Sequence, residues 1–390
     1  MEKVINTGKL PIKLWLNDIE EEAMQQARNL ANLPFAFRQI CLMPDAHSGY
    51  GMPIGGVMAT QNAIVPNAVG VDIGCGMGAI RTNLRTEEMT PEILKNIMTD
   101  IRGVIPFGFN HHKQAQDESL MPPGFKLHEI PVVKREYEAA LKQIGTLGGG
   151  NHFLEIQQDN DDFVWIMVHS GSRNIGKQVA DFYNKKAKKL NAMFHSTVDP
   201  KADLAFLPFD SEEAHHYYKE MRYCVAFAYA NRHLMLDRIK EIFESQFSGI
   251  IFDPIINIAH NYAAWETHFG EKVLVHRKGA TSARAGETGI IPGSQGTKSY
   301  IVEGLGNEES FQSCSHGAGR TMSRSKAIKT LDLQEEIRKL DEQGIIHAIR
   351  HKNDLEEAAS AYKDISTVMN NQRDLVRIKV ELSPMAVLKG

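Results

Sequence analysis

The sequence predicts a mixed α/β fold: one compact body with mixed β-sheets at its centre, helices around them and a helical lobe at its periphery. Three observations predict it. Short apolar runs that suit buried strands recur at residues 39–43, 163–168, 255–259 and 272–276. Longer stretches with apolar residues at helical spacing lie between them. No repeat, low-complexity tract or linker interrupts the chain, so residues 1–390 are read as one domain.

The elements follow in order. Residues 16–33 read as an amphipathic helix, with Ile19, Met24, Ala27 and Leu30 at helical spacing. The strand at 39–43 runs into a loop over 44–56 crowded with glycine and proline, where Asp45 and His47 stand two residues apart. A turn capped by the aspartate explains that pair as readily as a site does. Residues 91–101 predict a helix with Thr90 as its cap and Pro91 in its first position. Residues 106–131 predict a long surface loop that leaves His111 and His112 solvated. A short helix over 134–144 leads through a glycine-rich turn to His152 and a strand over 153–156.

The strand at 163–168 delivers His169. A basic helix then carries Lys185, Lys186, Lys188 and Lys189, either as a solvated face or as a patch that tracks phosphates. Asp210 and Ser211 predict the cap of a long helix reaching about Ser245, with Met221, Val225, Ala228, Leu236, Ile239 and Phe243 as its apolar stripe. The segment 175–250 is the predicted peripheral lobe. The strand at 255–259 delivers His260 and Asn261. After a glycine-rich stretch over 286–300, residues 313–320 predict a tight turn into a basic helix with Arg320, Arg324, Lys326 and Lys329. Shorter helices fill the C-terminal part.

Composition narrows the function. A net charge of −4 gives no global basic field, so nucleic acid would need a local patch. Cys41, Cys75, Cys224 and Cys314 form no C-x-x-C pair, which argues against a disulfide framework or a zinc ribbon and suits a reducing cytoplasm. The first residues show no signal-peptide pattern, and no apolar run is long enough for a membrane span.

The chemistry concentrates in residues 69–80, V-G-V-D-I-G-C-G-M-G-A-I, where Asp72 and Cys75 stand among four glycines. A carboxylate and a thiolate aimed at one spot make poor core and good metal ligands. His152, His169 and His260 each follow an apolar or glycine-rich run. Strand ends converge in space, so these five residues are candidate ligands of one site. Five ligands exceed one tetrahedral ion and suit two ions clamping phosphoryl chemistry. His316 sits in S-H-G-A-G-R, where glycine N–H groups can cradle an anion and the imidazole can attack phosphorus. Residues 292–297 form a second candidate anion nest. Two other motifs compete: residues 69–78 fit a methyltransferase glycine loop, and 171–177 fit a P-loop until Gln178 replaces its hydroxyl residue.

With these motifs in view, the sequence resembles the RtcB family of GTP-dependent RNA ligases. The matching blocks are M-P-D-A-H-S-G-Y-G-M-P-I-G-G from Met43, V-G-V-D-I-G-C-G-M from Val69 and G-G-G-N-H-F-L-E from Gly148. H-S-G-S-R at His169, H-N-Y at His260, R-K-G-A-T at Arg277, P-G-S-Q-G-T at Pro292, S-H-G-A-G-R at Ser315 and the final K-G continue them. Gln295 and Ser315 depart from the residues common in the family, and the chain is shorter than archaeal and animal members.

The resemblance implies an RtcB-type domain in which Cys75 bridges two Mn(II) ions, Asp72 and His152 complete one site, and His169 and His260 complete the other. It implies that His316 attacks the α-phosphate of GTP to give a covalent histidine–GMP. Asn151, His152, Phe153, Leu154, Glu155, His260 and Asn261 would line the guanylate pocket, with Pro292, Gly293, Ser294, Gln295, Ser299, His316, Gly317, Ala318, Gly319 and Lys389. GMP would pass to an RNA 3′-phosphate, and a 5′-hydroxyl end would displace it; a 2′,3′-cyclic phosphate would first be opened. The implied setting is a cytoplasmic monomer acting in tRNA splicing or RNA repair, without a membrane. Two alternatives stand beside it: a dinuclear-metal phosphoesterase or nuclease, and an S-adenosylmethionine-dependent methyltransferase.

Overall fold

The structure is a computed structural model and describes residues 1–390. The chain opens with strands β1 (Lys3–Ile5) and β2 (Ile12–Leu14), which the sequence reading does not anticipate. Helix α1 (Glu21–Ala31) is shorter than predicted, because Trp15 and Leu16 are buried and Trp15 N–H bonds the carbonyl of Leu42. Strand β3 (Ala36–His47) runs well into the predicted loop and returns as β4 (Ile54–Thr60). The short β5 (Ala63–Ile64) and α2 (Pro66–Val69) precede β6 (Gly76–Arg85). A strand therefore stands where a methyltransferase needs a helix, which removes that alternative. Helix α3 (Pro91–Val104) begins as predicted, with the Thr90 hydroxyl accepting from Ile93 N–H at 3.3 Å.

Helix α4 (Pro131–Ala140) and strands β7 (Phe153–Asp159) and β8 (Phe163–Ser170) follow. Helix α5 (Arg173–Met193) starts almost directly after β8 and absorbs Gly176, so residues 171–177 form no phosphate loop. After β9 (Leu207–Pro208), helix α6 (Glu212–Gln246) is capped by Ser211, not Asp210; the Ser211 hydroxyl accepts from Ala214 N–H. Strands β10 (Ile256–Ala259), β11 (Asn261–His268), β12 (Glu271–Lys278), β13 (Ala280–Ser282), β14 (Thr288–Ile291), β15 (Ser299–Gly304) and β16 (Ser313–Ser315) come next. Helices α7 (Arg324–Thr330), α8 (Leu333–Glu342) and α9 (Ile365–Asn370) fill the C-terminal part as expected. The chain does not end in helices, however. It ends in β17 (Val376–Lys389), which lies inside a sheet between β7 and β15. Pro384 disguises this strand in the sequence; it is tolerated because the register shifts between Pro384 and Ala386.

Two sheets organise the molecule. The first has the order β1-β2-β3-β4-β12-β11, and the second has the order β10-β6-β8-β7-β17-β15-β14. In the second sheet, Met77 pairs with His169, His169 with Phe153, and Phe153 with Lys389. Beside that row Gly76 pairs with Ala259. One end of the sheet thus carries Cys75, His152, His169, His260 and Lys389 together. The chain crosses to the first sheet at His260, where β10 gives way to β11.

Side chains alternate across the second sheet. Leu154, Ile156, Val164, Ile166 and Val168 face α3 and α6 in one core, while Phe153, Trp165 and Met167 face the other way, the side that His169 shares. Helices of the 175–250 segment lie against the sheet as well as outside it: α6 packs on β6 and β8 and buries Asn231 and Arg232. Arg232 donates to the carbonyls of Gly74 (2.9 Å) and Ser170 (2.8 Å) and to the Asn257 side chain (2.7 Å). One buried guanidinium thereby ties α6 to the Asp72–Cys75 turn, to β8 and to β10.

Arg232→Ala would remove this donor from the buried Gly74 and Ser170 carbonyls and from the half-buried Asn257 side chain. We expect it to lower the unfolding free energy by about 3 kcal/mol, measured as the shift of the urea-unfolding midpoint.

Candidate metal and nucleotide site

Asp72 and Cys75 share the tight turn between α2 and β6, where Cys75 N–H donates to the Asp72 carbonyl at 3.1 Å. The carboxylate is packed against Gly171, where a Cβ would lie 2.2 Å from Asp72 Oδ1, so any side chain there would displace it. From this turn the side chains meet the histidines at the sheet end. Cys75 Sγ lies 3.4 Å from His152 Nε2 and 3.3 Å from His169 Nε2. His152 Nε2 lies 3.0 Å from Asp72 Oδ2, and His169 Nε2 lies 3.4 Å from His260 Nε2. The five donors form two groups, Asp72–Cys75–His152 and Cys75–His169–His260, each with its ligand atoms within 4.8 Å of one another. The sulfur belongs to both.

The donors suit cations. His169 Nδ1 faces the Asn151 carbonyl at 2.9 Å, which places the proton on Nδ1 and leaves the Nε2 lone pair toward the cluster. Burial pushes the His169 and His260 imidazoles well below their usual range, so both are neutral. Burial raises the Asp72 carboxyl, but the hydrogen bond and charge of His152 outweigh it and hold it at about 2. Burial, then the Asp72 carboxylate, pushes the Cys75 thiol well above its usual range. Deprotonating this thiol requires positive charge beside it, which a metal ion held by these donors would supply. His260 Nδ1 is also buried without a partner. A desolvated sulfur and convergent nitrogen lone pairs are costly unless something positive binds them.

His316 stands next to this cluster, its ring centroid 4.7 Å from that of His260. Its Nδ1 is 2.6 Å from Asp45 Oδ2. The same oxygen accepts the N–H groups of His316 (3.1 Å) and Gly317 (3.3 Å). Asp45 is fully buried at the end of β3, so a residue 271 positions away in sequence orients the imidazole.

A cavity of about 390 Å³ opens onto these groups, a volume suited to a nucleotide. Asp72, Cys75, His169 and His260 line it, as do Asn151, Phe153, Glu155 and Asn261. Pro292, Gly293, Ser294 and Gln295 form another wall, with His316, Gly317, Ala318 and Gly319 beside them and Lys389 at the end of β17. Three expected residues stand apart. His152 reaches the cluster from behind Asp72. Leu154 points into the core on the opposite face of β7. Ser299 is buried behind the wall, its hydroxyl accepting Gly293 N–H at 3.1 Å. Glu155 and Lys389 lie on paired strands, opposite Val387 and Phe153; burial pushes the carboxyl up and the ammonium down, each to about 8.

Sequence reasoning assigns no role to several residues found here. Asp45 lies in a recognised block without one, and Glu357 and Tyr362 sit in a stretch with no distinguishing pattern. Glu357 accepts from Arg320 at 2.9 Å and from Arg324 at 2.6 Å, so both guanidinium groups are tied to the cavity wall. Lys186 and Lys188 pair with Glu213 and Asp203, which weakens the field of the lysine run; Lys185 and Lys189 stay exposed. Arg173 stands 3.3 Å from His152 Nδ1. His215, His216 and His233 are exposed, as expected of residues outside a site.

A family profile described as tRNA-splicing ligase RtcB matches residues 26–126 and 124–390. The chain belongs to the RtcB family. It is 40% identical to the RNA-splicing ligase RtcB of Escherichia coli strain K12, over 100% of this chain and 99% of that protein. It is 33% identical to the tRNA-splicing ligase RtcB of Nanoarchaeum equitans, over 98% and 96% of the two chains. The corresponding protein of Methanococcus maripaludis is 34% identical, over 97% and 93%. The RtcB match spans both sheets and every element that carries a donor.

Because the sulfur belongs to both groups, Cys75→Ala should strip both cations, whereas His260→Ala should remove one; elemental analysis after Mn(II) loading and gel filtration reads the difference. Loading must also release the raised Cys75 proton. Apparent affinity should therefore climb with pH between 6 and 8, about tenfold per unit for one proton released, in titrations with Mn(II).

Proposed function

We propose that this chain is an RNA ligase that joins RNA 3′-phosphate or 2′,3′-cyclic phosphate ends to 5′-hydroxyl ends, using GTP and two Mn(II) ions. The observation that carries the reading is the imidazole of His316, oriented by Asp45 and held beside the Asp72/Cys75/histidine cluster in one cavity. A water-activating phosphoesterase would use such an imidazole only to carry a proton and would form no covalent nucleotide, which the labelling experiment below distinguishes.

The chemistry follows from the hydrogen bonding. Asp45 accepts a hydrogen bond from Nδ1–H, so the lone pair of His316 resides on Nε2. Nε2 attacks the α-phosphorus of GTP; the Nε2–P bond forms, the bond to the β-phosphate oxygen breaks, and pyrophosphate leaves. The modified ring is cationic, and the buried Asp45 carboxylate offsets that charge without taking the proton, as in other oriented imidazoles. An oxygen of the RNA 3′-phosphate then displaces His316 from the phosphorus, giving RNA-3′-pp-5′-G. The 5′-hydroxyl of the second strand attacks the RNA phosphorus and releases GMP. A cyclic phosphate is first opened by water.

Asp72, Cys75 and His152 would hold one Mn(II) ion and Cys75, His169 and His260 the other; bound there, the pair supplies positive charge against phosphate oxygens. Asn151, Phe153, Glu155 and Lys389, with residues 292–295 and 316–319, would hold the guanylate. Free, buried cysteines suit a reducing compartment, and we read the protein as a cytoplasmic monomer.

Incubation with Mn(II) and α-labelled GTP should label the protein covalently. His316→Ala should abolish the label. Asp45→Asn should keep the fold and slow labelling at least a hundredfold, since it loses the anion that fixes the tautomer. A His316→Ala protein that labels like wild type would overturn the reading.

A further inference from the structure

The cavity is also lined by residues assigned above neither to the metal donors nor to the guanylate. Among them, Tyr50 and Val71 line the mouth with 76% and 48% of their surface exposed. These are large apolar side chains left open to water inside a polar site. The Tyr50 ring is mounted on a rigid loop. Its carbonyl accepts from the buried Lys278 ammonium at 2.6 Å and from Met52 N–H at 2.8 Å. Lys278 also donates to the carbonyls of Met52 (3.0 Å) and Asn67 (3.0 Å), joining the loop to α2. On the other side the Gln26 side chain bonds both N–H and C=O of Gly49. Gly51 has φ +70°, and a Cβ there would lie 2.5 Å from the Asp203 carbonyl, so the turn admits no other residue.

A pinned backbone presenting an unpacked ring is a preformed platform, and nucleic-acid bases are the ligands that use such platforms by stacking. Val71 immediately precedes Asp72. Tyr50 lines the same cavity as the cluster, so a nucleotide whose phosphate lies against the cluster extends along the wall that carries this rim. We propose that the rim formed by Tyr50 and Val71 is the subsite for the terminal nucleotide of the strand that presents its 3′-phosphate, with its base stacked on Tyr50. Every base has a π-face, so the subsite tolerates any terminal base. This rests on the RNA-ligase reading and adds to it a positioning residue for the RNA.

The test uses the full chain with Mn(II) and GTP, and an RNA carrying 2-aminopurine as its 3′-terminal nucleotide. Binding should quench the fluorophore in wild type, Tyr50→Phe and Tyr50→Trp. Tyr50→Ala and Tyr50→Leu should lose the quench and raise the KM for RNA about tenfold, with covalent labelling by GTP as the internal reference that keeps its rate. The proposal is overturned if Tyr50→Ala has the wild-type KM, if Tyr50→Phe loses as much as Tyr50→Ala, or if labelling falls together with ligation. Failure of the wild-type protein to take label would sink the ligase reading instead, and quenching would still report on the platform.

Discussion

The structure depends on the convergence of one sulfur with three imidazoles and a carboxylate. Such a cluster is expensive to form: its lone pairs are desolvated and its charges lie close together. Only rigid supports keep it assembled, and the molecule supplies them from two sheets. The row Met77–His169–Phe153–Lys389 sets the height of the donors on one sheet. Arg232 draws the Asp72–Cys75 turn down onto the long helix. His260 sits where the chain leaves one sheet for the other. Cations held by these donors would therefore brace the junction at His260 as well as equip the cavity for chemistry.

The imidazole of His316 reaches that cavity by a separate route. It follows β16, which pairs with β13, and is aimed by Asp45 at the end of β3. The donor cluster is thus built mainly on the second sheet, and His316 follows the separate β13–β16 pair and is held to the first sheet through Asp45, with the cavity between them. The buried pairing of Asp45 with three N–H groups makes this arm of the site stiff.

Much of the site was legible in the sequence for a physical reason: ligands placed at strand ends follow conspicuous apolar runs. Asp72, Cys75, His169 and His260 carry that signature, and all of them meet. Asp45 does not, because its role is defined by a partner 271 positions away and its own surroundings read as an ordinary turn. Leu154 was included as part of a contiguous motif, but strand alternation turns every second residue to the far face. In the fold, strong helix caps at Thr90 and Ser211 made α3 and α6 readable. β17 was hidden although Val376, Ile378, Val380 and Leu382 alternate with charges, since Pro384 looks like a strand breaker and the neighbours that admit it lie far away in sequence. The partner of Arg320 and Arg324, Glu357, was hidden for the same reason, since it lies more than thirty residues further along the chain.

The central claim is that a single thiolate serves two cations next to the nucleotide-accepting histidine. Anomalous scattering at the manganese edge, from crystals of the Mn(II)-loaded protein, tests it most directly. The account predicts two peaks about 3.5–4 Å apart, both at bonding distance from Cys75 Sγ, one near Asp72 and His152 and one near His169 and His260. A single peak, or two peaks of which one has no contact with Cys75, would contradict it.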